Sequence, residues 1–232
     1  MNKKDSVKNY YEIIDKNLQD KPKLDTNFNK HHILPKSMII AIGGTGSGKT
    51  NSLISFLERK TNAFFDIILF TGSTTDEPLY NFLQKKIPEM KVFNDINELP
   101  SLSEFDNEDK NKEKLIIFDD FVNLNKKEMK KINEYLTSGR KSGFTCFLMA
   151  QNYTSVGKLI TRNCQYFIIF KLNDNTTINN IIRNHNIHNI DKDVFKDIYV
   201  MCTAEPRNFF MIDLKGDKEK HLRNNFTNFI KL

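Results

Sequence analysis

The chain has 232 residues, of which 39% are hydrophobic and 28% are charged, and its formal net charge is +6. This length suits one medium-sized α/β domain with a short appendage, and the apolar content is low for a membrane protein. The longest apolar runs fall far short of the roughly 20 residues that cross a bilayer. Charges interrupt the N-terminus where a signal peptide needs apolar residues, so neither secretion nor membrane insertion is expected.

The three cysteines are widely spaced and form no CxxC pair: Cys146, Cys164 and Cys202. An odd number at such spacing predicts small buried side chains in a reducing compartment, in preference to disulfides or a zinc site. His31 and His32 have no metal-ligand spacing, and no role is assigned to them from the sequence.

Residues 1–30 are predicted to form an N-terminal extension, with one amphipathic helix at residues 7–18 followed by a polar linker. Residues 31–232 are predicted to form the main domain. It opens on an apolar strand at residues 37–42, and the uninterrupted apolar character is typical of a buried parallel strand. A glycine-rich loop follows.

The predicted elements then run in order as a helix at residues 49–60, a strand at 64–70, a helix at 79–86 and a short strand at 91–93. Residues 97–114 are acidic and polar, which indicates a surface loop. The second half is predicted to contain a strand at 115–120, a helix at 126–138, a strand at 144–149, a helix at 155–161, a strand at 165–172, two short helices, a strand at 208–214 and a charged tail. Strands that alternate with helices predict a parallel sheet sandwiched by helices.

The loop GGTGSGKT matches the phosphate-binding pattern G-x-x-x-x-G-K-[ST] between a strand and a helix. Glycines let backbone N–H groups turn toward a phosphate, and the following helix directs its positive end at the same oxygens. Lys49 is expected to bridge the β- and γ-phosphates of ATP, and Thr50 to bind Mg²⁺. The residues predicted to bind the nucleotide are Gly43, Gly44, Thr45, Gly46, Ser47, Gly48, Lys49 and Thr50.

Two acids end the predicted strand LIIFDD, at the edge of the sheet where ligands of open α/β folds bind. Asp119 is expected to hold Mg²⁺, and Asp120 to orient and deprotonate the attacking water. The alternative is that the pair caps a helix or closes a turn. A water-activating acid and the lack of an Arg cluster favour hydrolysis over the reaction of a small-molecule kinase.

The segment SGRKSGFTCFLMAQN places Arg140 before a buried strand and Gln151 after it. If this strand lies between the loop strand and the acidic strand, Gln151 can contact the γ-phosphate and the attacking water. Arg140 then lies at the opposite edge, where it can reach the nucleotide of a neighbouring subunit as an arginine finger. The alternatives are an amide in a turn and a solvated Arg at a helix end. Arg162 is the second finger candidate and Arg207 the third, each placed before a later strand.

These motifs, with LIIFDDF and NFFMIDL, resemble in order and spacing the viral genome-packaging ATPases of the poxvirus type, within the FtsK–HerA group of P-loop motors. The resemblance covers about residues 33–214. It implies a RecA-like core with strand order 5-1-4-3-2, an ATP- and Mg²⁺-dependent ring of five or six copies, and translocation of double-stranded DNA into a preformed capsid. It also implies capsid vertex or portal-type partners, no membrane partner, and a place in the host cytoplasm. Many relatives have Glu where this chain has Asp120, and His where it has Lys141.

DNA contacts are expected to grip phosphates without reading bases. The candidate segments are residues 71–78, the region after Gln151 with Lys158 and Arg162, and residues 171–177. A solvated helix face accounts better for Lys126, Lys127, Lys130 and Lys131. The alternatives to a packaging motor are a nucleotide-dependent assembly module with slow hydrolysis, a DNA-segregation or conjugation ATPase of the same group, and a nucleotide kinase.

Overall fold

The computed structural model describes residues 8–10, 13, 23–72, 77–119, 121, 124–185, 187 and 190–232. The helix predicted at residues 7–18 lies almost entirely outside this range, and so does Asp120. The predicted division of the chain at residue 30 stays a prediction. Asp25, in the predicted extension, contacts two buried residues of the main body, His31 at 3.1 Å and Lys60 at 3.9 Å.

The apolar runs of the sequence form the strands of a single sheet. In chain order the strands are β1 Met38–Ile42, β2 Asp66–Thr71, β3 Lys91–Phe93, β4 Lys114–Asp119, β5 Phe144–Ala150, β6 Tyr166–Ile169, β7 Phe210–Asp213, β8 Leu222–Asn224 and β9 Asn228–Phe229. The helices are α1 Lys49–Arg59, α2 Pro78–Lys86, α3 Lys126–Ser138, α4 Lys158–Asn163, α5 Thr176–Asn184 and α6 Lys192–Cys202.

The sheet order is β3-β2-β4-β5-β1-β6-β7-β8-β9, and every pair among β1 to β6 is parallel. The segment β6-β1-β5-β4-β2 has the order 5-1-4-3-2 of the RecA-like core, which confirms the predicted α/β fold. β3 extends this core beyond β2. In particular, β5 lies between β1 and β4, as the interpretation of Gln151 requires.

Side chains from the two faces of the sheet enter two separate cores because successive strand residues point in opposite directions. In β1, Met38, Ile40 and Ile42 pack on one face with residues of α3, α5 and α6. Ile39 and Ala41 pack on the other face with residues of α1 and α2. This double burial explains why β1 is apolar at every position and β5 at all positions but Thr145.

Two segments that were predicted to be polar, a surface loop and the C-terminal tail, contribute to the core instead. In residues 97–114, a 3-10 turn at Leu102–Phe105 buries Phe105 against Phe144, with ring centroids 5.0 Å apart. The expected charged tail forms β8 and β9, and Leu222 is fully buried. Within these short stretches the charged residues dominate the composition, so the few apolar anchors do not produce a readable period.

β7 pairs with β6 in the antiparallel direction, as do β8 with β7 and β9 with β8. The first residue of β7 therefore lies at the same edge of the sheet as the last residues of the parallel strands. Arg223 of β8 is buried and pairs with Asp213 of β7 at 2.9 Å. This ion pair joins the C-terminal strands to the end of the core.

The three cysteines are free and buried, as the sequence predicted. Burial raises the pKa of the Cys146 thiol to about 12, so this thiol is not a nucleophile at neutral pH. Within the described ranges, no helix combines the length and the apolar character needed to span a membrane.

Candidate nucleotide-binding site

The glycine-rich loop joins the end of β1 to the start of α1, and its backbone needs glycine at specific points. Gly46 and Gly48 have φ angles of +74° and +113°, a region that side chains with a Cβ disfavour. A Cβ on Gly43 would collide with the Ser47 hydroxyl and come within 2.8 Å of the Phe170 Cβ. The loop therefore forms a tight turn at the N-terminus of α1.

Lys49 lies in the first turn of α1 and points back over the loop. Its ammonium donates hydrogen bonds to the carbonyl oxygens of Gly43 at 2.7 Å and Gly44 at 3.0 Å. These contacts hold a positive charge beside the N-terminal end of α1, where backbone N–H groups also lack helical partners. The combination suits an anion with several oxygens, such as a polyphosphate.

A cleft of about 420 Å³ opens at this edge of the sheet. Its lining brings together residues from the loop and from the ends of β2, β4 and β5. Among them are Lys49, Thr50, Thr71, Asp119 and Gln151. Five of the eight predicted nucleotide-binding residues line this cleft together with Asp119 and Gln151, namely Thr45, Gly46, Gly48, Lys49 and Thr50. Gly43, Gly44 and Ser47 do not line it, and Asp120 lies outside the described residues.

Asp119 ends β4 and is half-buried beside Thr50 and Tyr80 of α2. The Tyr80 hydroxyl donates a hydrogen bond to Asp119 Oδ2 at 2.5 Å, and Tyr80 lines the same cleft as Thr50. Burial, together with the negative charge of Asp119, raises the pKa of Tyr80 far above its ordinary value, so the phenol stays protonated. Sequence reasoning missed Tyr80. The signal was its place in α2, the helix that follows β2, a strand that ends at the same edge.

Gln151 follows the last residue of β5 and is exposed at the cleft. It also lines a second cavity of about 620 Å³ on the other side of the loop. This second cavity is lined by residues 44–47, 151–152, 171–174 and 203–208. Gln151 therefore lies where the two cavities meet, beside the glycine-rich loop.

The three candidate arginines occupy two different edges of the sheet. Arg140 is exposed in the 3-10 turn Gly139–Ser142 that precedes β5, and Arg162 is exposed in the last turn of α4 before β6. Both therefore lie at the amino-terminal edge, away from the cleft. Within the described part of the chain, neither guanidinium has a hydrogen-bond or ion-pair partner.

Arg207, the third finger candidate, does not lie at that amino-terminal edge. Because β7 runs antiparallel, the turn before it lies beside the glycine-rich loop. A Cβ on Gly48 would lie 3.3 Å from the Cα of Arg207, and Arg207 lines the second cavity. Arg207 also has a φ angle of +67°, an uncommon backbone conformation for a residue with a side chain.

The other candidate DNA segments fall in different places. Of residues 71–78, positions 73–76 lie outside the described residues, while Lys171 lies on the wall of the second cavity. Lys158 is exposed on α4. On α3, Lys126, Lys127 and Lys130 are exposed, and Lys131 donates to the Asn97 carbonyl at 3.3 Å.

The residues present fit a magnesium nucleotide. A Cβ on Gly44 or Gly46 would meet no atom within 4 Å, so the mouth of the loop is open to a ligand. Thr50 and Asp119 offer a hydroxyl and a carboxylate, which are the oxygen donors that Mg²⁺ prefers alongside phosphate oxygens.

The sheet order 5-1-4-3-2, with a glycine-rich loop and a lysine at its carboxyl edge, defines a RecA-like P-loop NTPase. The chain matches the family described as Poxvirus A32 protein over residues 25–215, and it belongs to that family. The resemblance to the poxvirus-type genome-packaging ATPases of the FtsK–HerA group is therefore confirmed.

Solved structures agree on the fold. The DNA-packaging ATPase B204 of Sulfolobus turreted icosahedral virus is 16% identical, with a TM-score of 0.52 over 78% of this chain and 93% of that chain. The genome-packaging NTPase B204 of Sulfolobus turreted icosahedral virus 2, in complex with ATP-gammaS, is 14% identical, with a TM-score of 0.54 over 82% and 96% of the two chains. EssC (ATPases 2 and 3) of Geobacillus thermodenitrificans is 13% identical, with a TM-score of 0.53 over 82% of this chain and 39% of that chain. At such identities the likeness shows the fold alone. No curated protein sequence matches the chain.

Proposed function

We propose that this protein hydrolyses ATP in order to move double-stranded viral DNA into a preformed capsid. In this proposal it acts in the host cytoplasm as a ring of five or six copies. The observation that carries it is the convergence of Lys49, Asp119 and Gln151 on one cleft. Three adjacent strands, β1, β5 and β4, bring these residues to that cleft.

Lys49 and the loop bind the β- and γ-phosphates. An ammonium has three donors, and two of them now point to the carbonyls of Gly43 and Gly44. Phosphate oxygens replace these carbonyls as acceptors at small cost, since the cation already lies at the loop. Thr50 and Asp119 hold Mg²⁺, which neutralises charge on the phosphates when it is bound.

Asp120 accepts a proton from the attacking water, and Gln151 orients that water against the γ-phosphate. Support for Gln151 comes from its position at the carboxyl end of β5, beside the loop. Support for Asp120 comes from the sequence, since it directly follows the metal ligand Asp119 at the end of β4.

Arg140 completes the site of the neighbouring protomer, and Arg162 is the second candidate for this role. Both are exposed cations at the edge of the sheet opposite the cleft. Arg207, by contrast, acts on the nucleotide of its own protomer, because its turn packs against Gly48.

DNA is held through its backbone phosphates, with the net charge of +6 favouring contact with a polyanion. The candidate contacts are residues 71–78, Lys158 with Arg162, and residues 171–177. Capsid vertex or portal-type proteins are the proposed partners that anchor the ring.

The experiment that tests this function measures ATP hydrolysis with and without double-stranded DNA. We expect stimulation by DNA of any sequence, weakened by added salt because phosphate contacts release counterions. Lys49→Ala serves as the inactive control and removes both the basal and the stimulated rate. Hydrolysis that DNA does not change at any salt concentration would contradict a motor and favour a nucleotide-dependent assembly module.

A further inference from the structure

Tyr80 contacts one of the two residues that the proposed function assigns to the metal and shares the cleft with the other. It lies in the first turn of α2, with its ring in the core and 7% of its surface exposed. Its hydroxyl donates to Asp119 Oδ2 at 2.5 Å, and Tyr80, Asp119 and Thr50 all line the same cleft. Thr50 belongs to α1, Asp119 to β4 and Tyr80 to α2, so this hydrogen bond holds the Asp119 carboxylate against a third element.

The chemistry of this group is compatible with a bound cation. A phenol has one proton, and the Tyr80 proton goes to Asp119 Oδ2. Carboxylates that bind metals are typically hydrogen-bonded as well, so this bond is compatible with a cation held by Asp119. The Thr50 hydroxyl, on the same cleft, supplies a second oxygen donor.

We propose that Tyr80 is a positioning residue of the metal site, whose hydrogen bond holds the Asp119 carboxylate in the orientation that Mg²⁺ bound by Asp119 and Thr50 requires. This inference rests on the proposed function of the cleft. Partners that orient metal ligands typically change metal affinity by about 10- to 100-fold when they are removed. Tyr80 suits this task because its ring is fixed in the core beside Leu83, on the same helix.

A rival interpretation assigns the opposite effect to the same hydroxyl. Tyr80 would then occupy the place of the cation in the nucleotide-free protein and would have to leave when the metal enters. Removing the hydroxyl would in that case tighten metal binding. The direction of the change in metal affinity therefore decides between the two interpretations.

The test uses Tyr80→Phe, which keeps the ring in the core and removes only the hydroxyl. Binding of Mn²⁺, measured by electron paramagnetic resonance in the presence of a non-hydrolysable ATP analogue, is expected to weaken by about 10- to 100-fold. Binding of the same analogue without metal is expected to stay the same. Tyr135→Phe is the matched control, since it removes a hydroxyl that donates to the Pro100 carbonyl and lines neither cavity.

Equal Mn²⁺ affinity in Tyr80→Phe and the parent would overturn the inference, and tighter binding would establish the rival. If the parent itself binds no Mn²⁺ with the analogue, the proposed function fails instead. A second measurement needs no variant, namely the ultraviolet difference spectrum of the parent when metal is added to its analogue complex. We expect no tyrosine band in this difference spectrum, because Tyr80 stays in the core when the metal binds. A blue-shifted band would show that the phenol is released into water and would overturn the inference.

Discussion

Single residues divide into those that a local pattern reveals and those that only the fold reveals. Lys49 and Asp119 were predictable because each sits in a short motif next to an apolar strand. Tyr80, and the position of Arg207 beside the glycine-rich loop, were not, since nothing in their neighbouring residues points to a phosphate or a metal. Their positions depend on which strand ends at the cleft, and for Arg207 on the direction in which β7 runs.

Asp120→Asn separates binding from chemistry at the scale of one side chain. The amide is nearly the same size but accepts a proton poorly, so we expect ATP hydrolysis to fall by about 10²- to 10⁴-fold. Nucleotide affinity is expected to change little, because Lys49 and the loop remain intact. Single-turnover hydrolysis and equilibrium nucleotide binding measure the two effects.

Asp106→Asn is the control, because it neutralises an exposed acid outside the cleft. Near-normal turnover in Asp120→Asn would remove this carboxylate from the mechanism.

At the scale of elements, the sequence predicts the parallel strands β1, β2, β4, β5 and β6 well because each consists of four to seven mainly apolar residues, most of them buried. The order of the core came from the resemblance, since apolar runs carry no record of which strand pairs with which. The antiparallel β7 and the short β8 and β9 were not predictable in direction or pairing. Their placement involves contacts that are distant in sequence, such as the hydrogen bonds from Arg223 to the carbonyl oxygens of His31 and His32.

The segment before β1 is attached through a buried histidine that the sequence left without a role. His31 Nδ1 accepts from the Ile33 N–H at 3.0 Å, so Nε2 carries the proton and donates to Asp25 at 3.1 Å. Burial lowers the pKa of His31 to about 4, although Asp25 partly opposes this shift. A proton on Nδ1 would leave the Ile33 N–H without its acceptor.

Stability is therefore expected to depend on pH through His31. The unfolded chain takes up the proton near pH 6.5 and the folded chain only near pH 4, so the contribution of His31 is complete above about pH 6.5. It is lost as the pH falls toward 4, by roughly 1–3 kcal/mol. Chemical denaturation of the parent and of His31→Gln at several pH values between 4 and 6.5 tests this pH dependence.

In His31→Gln, the free energy of unfolding is expected to decrease less as the pH falls from 6.5 to 4. His32→Gln, at a half-buried neighbour, is the comparison and should flatten the decline less. An identical pH dependence in His31→Gln and the parent would contradict the assignment.

At the scale of the whole molecule, Arg140 and Arg207 lead to opposite predictions for the ATPase activity of assemblies that mix two variants. A protomer with Arg140→Ala keeps its own cleft, and a neighbour with Lys49→Ala still supplies Arg140. Mixing these two inactive proteins is therefore expected to restore part of the ATPase activity. The fraction restored follows from how often the two kinds of protomer are neighbours.

Arg207→Ala mixed with Lys49→Ala is the matched control. Each protomer then lacks one of two groups that act within the same chain, so no activity is expected to return. Rescue in the Arg207 mixture would place that residue across the boundary between protomers. No rescue in the Arg140 mixture, or full activity of Arg140→Ala alone, would shift the finger to Arg162.

β5 has seven buried residues and hydrogen-bonded neighbours on both sides, with Gln151 at one end and the turn of Arg140 at the other. At about 3.3 Å per residue the strand is roughly 23 Å long. Packed interiors resist compression, so a shift of Gln151 along the strand axis is expected to move the Arg140 turn as well. In the proposed ring, the loss of the γ-phosphate in one copy would then reach its neighbour through this strand, and the copies would hydrolyse ATP one after another.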